Sequence, residues 1–307
     1  DVIGGLHAPA GGIIEPYRFA FALVENAQEN GLEVYRNFAV SEASFSNDSF
    51  TLTDQNGTSI AAAFVVNAAG LYADDVSALF DAEAFSIKPR KGEYHLLDRR
   101  TAACPERVVF PVPTSVSKGM LVIPTVEGTV LLGPTADAVP GKTDLLTDAE
   151  RMHGIITSAQ RLIPAVSGKD IITSFAGLRP TLESGDFYIA ESEAVPRLIQ
   201  VAGIQSPGLT AAPAVGEYVK DLLKEAGCTL TEKPHFVAVQ EPVERTRTMT
   251  PEALSDLWKE DHATGDAVCR CETVTRDEIK RAIAAGHTTL DGIKFWSRAG
   301  AGRCQGA

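Results

Sequence analysis

Three cysteines stand close to the end of the sequence: Cys269 and Cys271 in "VCRC", and Cys304 in the glycine-rich "SRAGAGRCQGA". A Cys-x-Cys pair with a third thiolate in a small-residue loop offers soft donors, the kind that iron and zinc take. Zinc pairs usually leave two or more residues between ligands, so one intervening residue is tight for zinc. The bland alternative is three unpaired thiols in a small helical segment. Cys104 and Cys228 have no such pattern and read as packing or surface residues.

Three other stretches could carry chemistry. In "VVNAAGLYADD" an apolar strand runs into Asn67, Ala68, Ala69 and Gly70 and then a helix, so backbone can approach a ligand at the carboxyl end of a strand. In "VAGIQSPGLT" the residues Gly203, Ser206, Pro207, Gly208 and Thr210 open a helix, whose free amides and dipole favour negative charge. In "FAGLRP", Arg179 follows an apolar strand and could grip a carboxylate or phosphate with two donors. Each has an ordinary reading as well: a turn that needs small side chains, a capped helix, a surface arginine.

The elements that must hold these residues fall into blocks. "PYRFAFALVENAQEN" places Phe19, Leu23 and Ala27 on one helical face, with Pro16 in the first turn and Gly31 past the end. Strands are expected in "LEVYRNFAV", "SFTLTD" and "AAAFVVNAAG". From about Glu83 to Asp186, short runs punctuated by Gly and Pro ("GEYHLLD", "RVVFPVP", "GMLVIPT", "GTVLLGP") predict an antiparallel sheet. One helix interrupts it, with Thr147 and Glu150 spaced as a capping box. A strand, a glycine turn and a helix ending at Gly227 then restore the earlier pattern. The stretch 228–265 is polar and reads as a linker, and Thr275 with Glu278 opens a last small helix. The fold class is therefore mixed α/β: a partial doubly wound lobe (1–82, returning at 187–227), an antiparallel lobe (83–186), the linker, and a helical module over 266–307.

Composition bounds the partners. The formal charge of -12 disfavours nucleic acid, which needs a basic face. No run has the apolar length of a membrane span, although peripheral contact stays open. Five cysteines in 307 residues are too few for a disulfide scaffold, which fits a reducing, cytoplasmic setting. The sequence opens on Asp1 without a signal peptide, so it is expected to begin inside a longer gene product.

Taken in order, "GLHAPAGGIIEPYRFAFAL", "VVNAAGLYAD", "RKGEYHLLD", "GLRP" and "GIQSPGLTAAPA" resemble the FAD-dependent oxidoreductases of the D-amino-acid-oxidase type. Within them the set is most similar to anaerobic-type glycerol-3-phosphate dehydrogenases and L-2-hydroxyglutarate oxidases. The resemblance implies an enzyme that oxidises a small hydroxy acid or polyol phosphate, glycerol 3-phosphate first. It implies that Gly203, Ile204, Gln205, Ser206, Pro207, Gly208, Leu209 and Thr210 lie along the flavin, where the helix start would stabilise charge on the reduced ring. Val40 would meet the adenine, and Ala68 to Gly70 would line the nucleotide end. Arg179 would face an anionic substrate, with His7 approaching the ring and Lys91 as a second charge in the cavity. The Gly-x-Gly-x-x-Gly unit of that family has no counterpart here, so an amino-terminal part is expected to lie outside these residues.

The tail resembles the [2Fe-2S] module related to bacterioferritin-associated ferredoxin. That implies Cys269, Cys271 and Cys304 as ligands, with a fourth cysteine expected beyond Ala307. Electrons would pass through the cluster to an acceptor protein or a quinone-linked subunit, with membrane association through that partner. The rivals are an amino-acid or amine oxidase on the same scaffold and a non-catalytic electron-transfer or scaffold protein.

Overall fold

The computed structural model describes residues 3–113, 119–240, 245–260 and 262–307. Asp1 and the parts of the expected linker at 241–244 and 261 lie outside the described residues. Helix α1 (Pro16–Glu29) starts at the proline, whose missing N–H is not needed in a first turn, and ends at Gly31 with φ +92°. A three-stranded antiparallel meander follows: β1 (Val40–Ser46), β2 (Ser49–Asp54) and β3 (Ser59–Ala62). The strand expected through "LEVYRNFAV" begins only at Val40, because Asn37 turns the chain with φ +60° and breaks the extended run. The apolar stretch after β3 is likewise divided, and its second half forms β4 (Val65–Asn67), followed by α2 (Ala73–Leu79).

The middle of the chain supplies β5 (Lys88–Leu97), β6 (Leu121–Pro124), β7 (Val130–Gly133), β8 (Asp137–Ala138), α3 (Ala149–Leu162) and β9 (Ile171–Thr181). They build the expected antiparallel sheet, in which β5 pairs with β9 along its length and with β7 and β8 on its other edge. "RVVFPVP" contributes only an isolated bridge, Val109 to Val122, since Pro111 and Pro113 have no N–H for a ladder. Helix α3 is capped by Asp148, whose carboxylate accepts the Arg151 amide at 2.9 Å, and not by the predicted Thr147 box. Its Met152, Ile155 and Ala159 cover the sheet and bury Leu97, Val122, Val130 and Leu132. Each large apolar side chain so enclosed contributes about 1.5–3 kcal/mol.

The chain then returns through β10 (Tyr188–Glu191), β11 (Leu198–Ala202) and α4 (Gly208–Glu225). Strand β11 is buried throughout and lies between antiparallel β10 and parallel β4. Phe50, Phe80, Val195 and Leu198 join this sheet to the meander. The stretch expected as a linker carries helix α5 (Pro251–Glu260) and the short α6 (His262–Gly265). Last come β12 (Ala267–Cys269), β13 (Val274–Thr275), α7 (Arg276–Ala284) and α8 (Leu290–Ser297). The Thr275–Glu278 capping box forms in full.

Candidate functional site

Parallel pairing of β4 with β11 sets Val65, Val66 and Asn67 opposite Leu198, Ile199 and Gln200. The two strands therefore end side by side, and the turns 68–70 and 203–208 leave the sheet at one corner. Open α/β sheets bind ligands at such a place. A buried amide pair holds the corner: Asn67 Nδ2 donates to Gln200 Oε1 at 2.8 Å and to the Ala73 carbonyl at 2.8 Å. Gln200 Nε2 donates to Ser77 Oγ at 2.8 Å and to Glu83 Oε2 at 3.2 Å. No motif in the sequence marks this network. Its signal is Gln200 itself, a polar residue inside the otherwise apolar "LIQVA".

Glu83 closes the network by accepting from Ser192 Oγ at 2.7 Å and from the Glu193 amide at 2.6 Å. Burial works against its charge, but the Ser192 hydroxyl, neighbouring amides and Gln200 outweigh it and hold the carboxyl below its ordinary value of 4.5. Folding thus lowers its proton affinity. Its stabilising contribution is complete above that ordinary value and fades as pH falls through the lower folded one. Glu83→Gln is expected to flatten the loss of Tm in this acid range, measured by thermal melts across it. An unchanged acid limb would remove Glu83 from the account.

At the corner, Gly203 takes φ +73°, and a Cβ there would meet Leu182 Cδ1 at 2.7 Å and the Asp186 carbonyl at 3.2 Å. Gly208 begins α4, and a Cβ on it would meet Ile204 Cγ2 at 2.6 Å. The backbone between them packs too closely for side chains, and the first amides of α4 have no partners within the helix. Ile204 and Gln205 are half-buried, while Ser206, Pro207, Leu209 and Thr210 face solvent. Ala68 and Ala69 are exposed and Gly70 is half-buried; Val40 pairs with Asp54 at the start of β1.

Leu182, which packs on Gly203, lies just beyond the end of β9, so this strand brings Arg179 toward the same corner. In the β5–β9 register Arg179 pairs with Arg90, Gly177 with Gly92 and Phe175 with Tyr94, all on the sheet face away from α3. Tyr94 and Phe175 stack with ring centroids 5.3 Å apart. The Arg179 guanidinium lies across Gly92, where a Cβ would come within 2.8 Å of its Cζ. Its Nη1 donates weakly to the Thr135 carbonyl at 3.5 Å, and among the described residues no carboxylate pairs with it.

The other two proposed substrate contacts do not join it. Lys91 is on the α3 face of β5, 6% exposed, with Nζ bonded to Asp144 at 3.0 Å and to the Leu146 carbonyl at 2.8 Å. His7 lies on the exposed segment ahead of α1, near the fully exposed Leu6. His95, buried on the α3 face, bonds Ser174 at 2.8 Å and the Met152 carbonyl at 3.0 Å, a structural role.

The three cysteines do converge. Cys271 Sγ lies 3.8 Å from Cys269 Sγ and 3.7 Å from Cys304 Sγ. Two sulfurs on one tetrahedral metal with bonds near 2.3 Å stand about 3.8 Å apart, so the spacing fits thiolate ligation. The Gly300 amide donates to Cys269 Sγ at 3.3 Å. Amides of Gly306 and Ala307 hold the exposed Cys304 below the ordinary thiol value, while burial and its two sulfur neighbours push Cys271 up to about 11. Among the described residues no set of His, Cys, Asp and Glu closes around a single ion, and the sulfurs lie with Cys271 in the middle.

Behind the sulfurs lies an ion-pair knot invisible to motif reading. Glu272 and Glu127 are both buried, and Arg247 and Arg298 pair with both. Arg99 adds to Glu272, Arg18 of α1 bonds Glu127 at 2.9 Å, and Arg298 donates to Tyr17 of α1 at 3.1 Å. Trp296 Nε1 donates to Glu25, also on α1, at 3.2 Å. The module is thereby pinned to α1 and to the β6–β7 turn.

Comparison with known proteins gives two family matches: FAD dependent oxidoreductase over residues 1–222, and BFD-like [2Fe-2S] binding domain over 267–306. A glycerol 3-phosphate dehydrogenase of Caloramator mitchellensis is 37% identical over 100% of this chain and 64% of its own length. A Haloferax volcanii protein named anaerobic glycerol-3-phosphate dehydrogenase subunit A1 is 24% identical over 96% of this chain and 57% of its own. Among solved structures, the dithionite-reduced L-alpha-glycerophosphate oxidase of Mycoplasma pneumoniae with FAD bound is 29% identical, with a TM-score of 0.66 over 71% of this chain and 57% of that one. The chain spans about three fifths of the length of the curated relatives it matches.

Proposed function

Since the chain belongs to the FAD dependent oxidoreductase family and also carries a BFD-like [2Fe-2S] binding domain, we propose that it serves in the flavin-dependent oxidation of glycerol 3-phosphate. What carries this reading is the similarity to the Caloramator dehydrogenase, which extends over 100% of the chain, cysteine module included. On this reading 1–82 and 187–227 form the flavin lobe, 83–186 the substrate lobe, 228–265 the connection and 266–307 the cluster module.

FAD bound at the corner would accept hydride from the substrate carbon, and a [2Fe-2S] cluster on Cys269, Cys271 and Cys304 would relay electrons singly to a partner subunit. The chain's own residues do the rest. The positive end of the α4 dipole favours negative charge on a group lying against Gly203–Thr210. The guanidinium of Arg179, with which no carboxylate among the described residues pairs, binds the substrate phosphate and fixes its orientation, beside the stacked Tyr94 and Phe175 on the same face. His7, on the exposed segment ahead of α1, is a candidate to take the hydroxyl proton on the family likeness alone. Lys91 is left to its bonds with Asp144 and Leu146. No helix among the described residues is long and apolar enough to cross a membrane.

The test is an anaerobic titration of the FAD-loaded protein with glycerol 3-phosphate, L-2-hydroxyglutarate and glycine in turn. Bleaching of the flavin band by glycerol 3-phosphate alone is the expected result. Bleaching by glycine would move the reading to an amino-acid oxidase, and protein that takes up no FAD would end it.

A further inference from the structure

We propose that Glu272 is a positioning residue for the cluster, its carboxylate and the arginines around it holding the Cys271 loop and setting how readily that site takes an electron. This rests on the reading that the three cysteines are ligands of a [2Fe-2S] cluster.

Glu272 follows the middle cysteine directly, and its side chain has no solvent exposure. A carboxylate removed from water is costly unless it is compensated. Three cations from three separate segments compensate it: Arg99 just after β5, Arg247 in the 246–248 turn and Arg298 at the end of α8, the last with Nε at 2.9 Å. An apolar side chain would fill the same space without needing any of them. What the carboxylate adds is charge beside sulfur.

Gly302 shows how close that charge lies. A Cβ on Gly302 would stand 2.7 Å from Cys271 Sγ and 2.7 Å from Glu272 Oε1, so at most twice that distance separates sulfur from carboxylate. A charge at that range that is itself removed from water acts on a neighbouring redox group. The carboxylate opposes the extra negative charge of a reduced cluster, and each arginine favours it. Removing one or the other must therefore shift the potential in opposite directions, which a role confined to packing would not do.

The experiment uses the protein reconstituted anaerobically with iron(II) and sulfide, followed by visible absorption, EPR of the dithionite-reduced form and a redox titration. Wild-type protein that assembles no cluster overturns both the [2Fe-2S] reading and this proposal. Where the wild type does assemble one, E272Q is expected to raise its midpoint potential by about tenfold in the reduction equilibrium, about 59 mV for one electron. R99Q, on the half-exposed rim of the knot, is expected to lower it. Equal potentials in all three proteins, or shifts of the same sign, sink the positioning role while leaving the cluster reading intact. Circular dichroism checks folding; should E272Q fail to fold, R99Q alone decides, and an unshifted potential there overturns the proposal.

Discussion

Replacing Arg179 with glutamine is expected to lower kcat/KM for glycerol 3-phosphate by about a hundredfold to a thousandfold, with the flavin content of the purified protein unchanged. Removing one partner of a desolvated charge pair costs about 2–5 kcal/mol, and each 1.36 kcal/mol is about tenfold in rate. The pairing is one-sided without substrate: Arg179 has a weak bond to the Thr135 carbonyl and no carboxylate among the described residues. Its side chain lies over Gly92, so Gly92→Val should evict the guanidinium and reproduce most of the loss with Arg179 still in the chain. The double variant would then be hardly worse than either single one, because both remove the same contact. Steady-state kinetics with an artificial electron acceptor measure all three. Additive losses would separate Gly92 from Arg179, and an R179Q protein with wild-type kcat/KM would take the phosphate contact elsewhere.

The second large effect belongs to Gly203→Val, which is expected to destabilise the lobe built on β4 and β11 and, on the proposed function, to abolish co-purification of FAD. Valine at φ +73° meets the left-handed penalty of about 1–2 kcal/mol, and its Cβ would press on Leu182 and the Asp186 carbonyl for about 1–3 kcal/mol more. Together these lower Tm by on the order of 10 °C in a domain of this size. Gly177→Ala is the control, since its added methyl meets nothing within 4 Å and needs no unusual φ. Its melt should stay near the wild-type curve. A Gly203→Val protein that melts and binds FAD like the control would mean that the turn is not built for close approach.

Local signals were legible where one residue decides one turn. Pro16 starts α1, Gly31 and Gly227 sit past helix ends with φ near +92° and +93°, and Thr275 with Glu278 forms its box. The mixed α/β class followed from those signals together with the apolar runs. They failed where a neighbour intervened: Asp148 took the cap that Thr147 was expected to supply, and Asn37 cut a strand short. The cysteines could be grouped because their spacing is itself chemical. The Glu127–Glu272 knot could not, since Arg18, Arg99, Arg247 and Arg298 are ordinary arginines until folding gathers them. Lys91 shows the converse: a charge in a suggestive motif is turned by strand alternation to the α3 face, opposite Arg179.

The bond between Asn67 and Gln200 links residues 133 positions apart. A ribosome releases the first long before the second exists. While the antiparallel lobe is being synthesised, β4 emerges with its edge unpaired and Val65 without Leu198 to cover it. Chains folding during synthesis expose such edges to aggregation until the missing strand arrives. Completion of this corner is therefore a late event in biogenesis, and a nascent chain stalled before β11 would be a client for a holding chaperone.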